Sequence, residues 1–80
     1  MWKEISSATY LDGYRLDVLF TDGVRRIMDF LPLIRKYPVF APLHDVNVFK
    51  NFVVTDTLEW NQGAIDIAPE YIYEYGMKEA

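Results

Sequence analysis

The chain has no cysteine, one histidine, four glycines and eight basic residues among its 80. Without cysteine there is no disulfide framework and no thiolate metal site. The absence fits a reducing compartment. His44 stands alone, so the usual zinc spacings cannot be filled. The carboxylates of "TDTLEWNQG" lack the alternation of a calcium loop ending in a ligand glutamate. No metal and no cofactor are expected. Gly13, Gly23, Gly63 and Gly76 are isolated from one another; each reads as a turn or a cap, and none builds a phosphate loop. No apolar run approaches the length that spans a bilayer, and "MWKEISSATY" has no signal-peptide core. A cytoplasmic protein without a membrane segment is expected. Positive charge is also scarce. The net charge is −4, and Arg25-Arg26 and Arg35-Lys36 are two short basic pairs. Proteins held on nucleic acid usually show a clear basic excess. These four residues are the nucleic-acid candidates, and nucleic acid is not the expected partner.

What the chain does have is apolar surface. Apolar residues make up 51% and aromatics 16%, with five Phe, six Tyr and two Trp. A domain of this length buries only about 60–65% of the surface its unfolded form exposes. Each aromatic ring offsets part of that shortfall by burying roughly 150–250 Å². One domain, residues 1–80, is expected, since no low-complexity linker divides it.

The first third reads as strands. In "YRLDVLF", Tyr14, Leu16, Val18 and Phe20 alternate with Arg15, Asp17 and Leu19, the period of a half-buried strand. "LDG" precedes this run and "TDG" follows it; both are hairpin signals. Their echo, "LDGYRLD" and "TDGVRRIMD", is meander chemistry rather than a repeat. A two-residue turn at Asp22-Gly23 would mix the faces of the second hairpin. A three-residue loop, Thr21 to Gly23, sets Phe20 opposite Val24, Leu16 opposite Met28 and Arg15 opposite Asp29. That register keeps apolar with apolar and opposes unlike charges. It requires positive φ at Gly23. Arg26 then falls on the apolar face, with a snorkelling stem at a sheet edge as the only rationale. The first hairpin fits either register.

Pro32, Pro38 and Pro42 exclude a central strand from "LPLIRKYPVFAPLHD". A helical turn can start at Pro32. Leu43, Val46 and Phe49, at steps of three, mark a short amphipathic helix. "FVVTDTLEW" reads as short strands broken near Asp56, "NQG" as a turn and "AIDI" as a last extended piece. "APEYIYEYG" starts a helix at Pro69 and stops it at Gly76. The expected fold is α+β: an antiparallel β-meander built on two Asp-Gly hairpins, a short helix, further short strands and a C-terminal helix.

Three stretches carry a family likeness: Phe20 to Gly23, Phe40 to Asp45 with Phe49, and Trp60 to Glu70, which reads "WNQGAIDIAPE". Together they resemble a small bacterial family known as domain of unknown function 2442. The resemblance covers nearly the whole chain. It implies no catalytic residue. Some members of that family are fused to a helix-turn-helix domain; this chain ends at Ala80, and none is expected here. Many members sit beside another small protein in the manner of a toxin–antitoxin pair. By that analogy the resemblance implies an antitoxin-like role.

Chemistry is thinly represented. His44 with Asp45, and Ser6 or Ser7, could supply the residue types of a triad, but no nucleophile turn accompanies them. Asp66 and Glu70 flank Pro69 and could form an acid–base pair. The structural reading is more direct. Glu70 sits in a first helical turn, where negative charge is favoured, and Asp66 can stand in for the poor N-cap Ala68. The strongest functional signal is aromatic. Tyr71 and Tyr75 share a helical face and Tyr73 points away. So short a helix cannot bury all three rings, and Trp60 or Trp2 could join an exposed patch. Trp60, Tyr71, Tyr73 and Tyr75 are therefore the candidate partner surface. The expected function is a non-enzymatic protein-interaction module, with self-association as a homodimer among its forms. A nucleic-acid-binding accessory is the alternative, and a small enzyme is the least expected.

Overall fold

The computed structural model describes residues 3–78. Trp2, one of the rings considered above, lies outside them. Strands β1 (Ile5–Asp12), β2 (Arg15–Phe20) and β3 (Arg25–Asp29) form the expected meander. Helix α1 (Leu31–Lys36), a 3-10 segment (Pro38–His44) and helix α2 (Val46–Phe49) follow. The short strands β4 (Val53–Val54), β5 (Leu58–Trp60) and β6 (Ile65–Ile67) make a second antiparallel sheet. Helix α3 (Pro69–Tyr75) then leads to β7 (Met77–Lys78), which pairs with β3, so the first sheet has the order β1-β2-β3-β7. The α+β architecture is as expected; the pairing of β7 is an addition to it.

The second hairpin takes the three-residue loop. Leu16 faces Met28 and Arg15 faces Asp29. The Phe20 N–H donates to the Val24 carbonyl at 2.8 Å, and Gly23 has φ +89°. The charges on the outer face are resolved differently. Arg15 bonds Asp12 at 2.8 Å, across the tip of the first hairpin, and that hydrogen bond holds the Asp12 carboxyl below its ordinary range. Asp29 instead accepts from the Leu31 N–H at the start of α1. The first hairpin carries register irregularities near both ends of β1. These bulges are why neither simple register stood out in its side-chain pattern.

The expected helix through Leu43, Val46 and Phe49 is split. Pro42 sits inside the 3-10 segment, and Asp45 caps α2 by accepting from the Asn47 N–H at 2.9 Å. Leu43 and Phe49 are nonetheless fully buried. Phe49 is the centre of the core. Its ring stacks on Trp60 at 5.9 Å, leans on Phe30 at 5.6 Å and meets Tyr14 edge-on at 5.5 Å. The Trp60 indole N–H donates to the Phe49 carbonyl at 2.8 Å, satisfying the one polar atom that burial would otherwise strand. Leu16, Val18 and Phe20 of β2 line the same core.

Helix α3 closes it. Ile72 is fully buried, and Tyr73 packs edge-on against Phe20 at 5.0 Å. Arg26 does not lie at the sheet edge expected for it, because β7 lies beyond β3. Its Nε donates to the Tyr73 carbonyl at 2.9 Å, and its guanidinium lies 4.8 Å from the Tyr73 ring centre. An arginine on the apolar face is thus accommodated by helix backbone and an aromatic face. At the opposite end of the tyrosine, its hydroxyl donates to Asp22, which also accepts from the Val24 N–H and lies 3.7 Å from the Lys3 ammonium. The Val24 hydrogen bond first, then the tyrosine and lysine, hold the Asp22 carboxyl below its usual value.

The N-terminus of α3 has Ala68 at its cap position, with no side-chain hydrogen bond there. Asp66 does not substitute for a cap, contrary to expectation: it is the middle residue of β6 and exposed. Glu70 is in the first turn, and its carboxylate accepts from the Lys3 N–H at 3.3 Å. Ala68→Ser is expected to stabilise the protein by about 1 kcal/mol. Urea melts check this; an unchanged or lower midpoint would reject a helix start at Pro69.

Candidate partner surface

Tyr71 and Tyr75 come together as helical spacing requires, with ring centres 4.6 Å apart. Tyr75 is 67% exposed, while Tyr71 is half-buried. Beside them runs a groove. One wall is the end of α1 and the start of the 3-10 segment, with Leu33, Tyr37, Val39 and Phe40. The opposite wall is the β6–α3 junction, with Asp66, Ile67, Ala68 and Tyr71. The groove encloses about 280 Å³. Its floor is core: Leu33, Phe40 and Ile67 are buried. Its rim is not: Val39 is 58% and Tyr37 41% exposed. The prolines explain the outer wall. Pro38 and Pro42 hold "YPVFAP" in a 3-10 segment that cannot fold its apolar side chains wholly inward.

Two sequence candidates for this surface are corrected. Trp60 is 1% exposed and belongs to the core. Its ring is claimed by Phe30 and Phe49, which come from other elements. Tyr73 lies on the other side of α3, occupied by Phe20, Arg26, Lys3 and Asp22. Tyr71 and Tyr75 remain. Sequence reasoning missed Tyr37 and Val39, whose only signal was an apolar run between prolines, where no strand or regular helix could bury it.

The basic candidates divide. Arg25 and Arg26 are successive residues of β3 and point to opposite faces. Arg25 bonds Asp17 at 3.0 Å, and Arg26 is held by α3. Arg35 and Lys36 end α1, and the Lys36 ammonium lies 5.4 Å from the Tyr37 ring centre. His44 is exposed, and its carbonyl accepts from the Tyr14 hydroxyl. Among the described residues, no group of His, Asp or Glu is arranged to hold a metal ion, and no helix is long and apolar enough to cross a membrane.

The pattern of "FTDG", "FAPLHD" and "WNQGAIDIAPE" places these features in a wider context. A family model described as "Protein of unknown function (DUF2442)" matches residues 5–78. The chain belongs to the DUF2442 family. No curated protein and no solved structure matches it. The matched span of this DUF2442 protein includes both walls of the groove and all of α3.

Proposed function

We propose that this protein is a non-enzymatic protein-interaction module whose binding surface is the groove between α1 and α3. The observation that carries this reading is the placement of apolar side chains at the groove rim. Tyr37 and Val39 are exposed around a floor that is continuous with the core, and the exposed Tyr75 packs on the groove-lining Tyr71. A contiguous apolar surface with aromatic anchors is the usual make-up of an interface centre. The antitoxin-like form of this function rests on the family resemblance, and a net charge of −4 suits a basic partner. Nucleic acid is the weaker reading, because Arg25 and Arg26 are engaged within the chain.

The test is capture from the protein's own cells, with and without nuclease, comparing the wild type with Val39→Glu. A stoichiometric, nuclease-resistant protein retained by the wild type and lost with Val39→Glu is expected. Val39 is exposed, so the variant keeps its thermal stability. Equal capture by both forms would place the interface elsewhere. Nuclease-sensitive capture would favour the nucleic-acid reading.

A further inference from the structure

The groove carries charge of one sign. Asp66 is the only charged residue that lines it, and Asp66 is exposed. Glu59 stands directly across from it in the β5–β6 register, so the two carboxylates share a face and repel. Glu59 accepts from the Thr55 hydroxyl at 3.1 Å. Neither carboxylate is in an ion pair among the described residues. The surrounding segment has the same sign. Residues 51–77 hold Asp56, Glu59, Asp66, Glu70 and Glu74, and no lysine or arginine. The β6–α3 wall of the groove is built from this segment. The other recognition elements are rings: Tyr37 and Phe40 on one wall and Tyr71 on the other. Aromatic rings and an uncompensated carboxylate in one cleft suit a cation carried on an apolar stem. The volume selects a side chain rather than a cofactor. About 280 Å³ falls below the range of small-molecule sites, roughly 300–1,000 Å³.

We propose that the groove takes a cationic side chain, arginine or lysine, from an apolar segment of a partner protein, with Asp66 as its counter-charge. This rests on the reading of the groove as a protein-binding surface and names what that surface recognises. The methylenes of the incoming side chain lie along Leu33, Ile67 and the rings, and its charged head reaches Asp66. Arginine is the better match, because a guanidinium both stacks on an aromatic face and bonds a carboxylate through two N–H groups. Its arrival also relieves the repulsion between Asp66 and Glu59. The remaining acids of residues 51–77 draw a basic partner towards this side of the chain.

The experiment is selection of binders from a phage-displayed library of random peptides on the purified chain. The wild type is expected to enrich peptides with a basic residue between apolar ones. As free synthetic peptides, these are expected to bind Asp66→Asn at least about tenfold more weakly and not to bind Val39→Glu. Selection on Asp66→Lys is expected to enrich an acidic residue in place of the basic one. Asp66 and Val39 are exposed, and circular dichroism establishes that all three variants are folded. Peptides that need Val39 but carry no basic residue, or that bind Asp66→Asn unchanged, would overturn the proposal and leave the groove its role. If no enriched peptide depends on Val39, the proposal is overturned outright, and capture from cells decides separately whether the groove binds protein. A wild type that sediments as a dimer and becomes monomeric with Val39→Glu would give the groove to a second copy and overturn the proposal in the same way.

Discussion

Phe49→Ala is expected to cost about 3–5 kcal/mol, among the largest losses a single truncation can bring in this chain. Phe49 is fully buried, and Tyr14, Phe30 and Trp60 all pack on its ring. These residues come from the first hairpin, the end of the meander and the second sheet, so no local shift can close the cavity. A domain of this length has about 4–12 kcal/mol of stability in total. With a urea slope of about 1 kcal/mol per molar, the midpoint falls by about 3 M or more. Tryptophan fluorescence follows it directly, because Trp60 stacks on the missing ring. A loss below about 1 kcal/mol would mean that the site collapses freely, against the close packing of protein interiors.

Gly76→Ala has a different cause and the second largest expected effect. Gly76 has φ −68° and ψ 153°, an extended conformation open to any residue. The constraint is space. A β-carbon there would lie 2.6 Å from the Ile72 carbonyl oxygen and 2.8 Å from the Arg26 β-carbon. Neither can swing aside, since one is helix backbone and the other is fixed to a central strand. The expected cost is about 1–3 kcal/mol, the range for overpacking. It should appear locally as well: the β3–β7 pairing of Ile27 with Met77 is expected to lose its amide protection first. Unchanged stability together with unchanged exchange would show that α3 and β7 can lift from β3 at no cost.

That glycine marks the boundary of what the sequence discloses. The end of α3 at Gly76 was legible as a stop signal, but its reason, close approach to Arg26, links residues fifty positions apart. The second hairpin was legible to the residue, because alternating apolar side chains and a single Asp-Gly loop leave only one register with unmixed faces. The first hairpin was not, because bulges in β1 break the period on which such comparison depends. β7 has two residues and no pattern of its own; it is a strand only because β3 offers an unpaired side. The partner surface was half legible. Helical spacing joined Tyr71 to Tyr75, whereas Trp60 was drawn inward by Phe30 and Phe49, and Tyr37 and Val39 lay in a proline-rich stretch with no period to assign them a side.

The contacts of Tyr73 with Phe20, Arg26, Asp22 and Lys3 also bear on how the chain is made. During synthesis the meander emerges first, with Phe20 and the Arg26 stem on a face where Tyr73 of α3 later packs. Until residues 69–78 have been made, that part of the face has no lid and β3 has no neighbour on its outer side. A ribosome-bound chain shorter than this displays both a sticky surface and an open strand edge, the two features that recruit chaperones and seed misassembly.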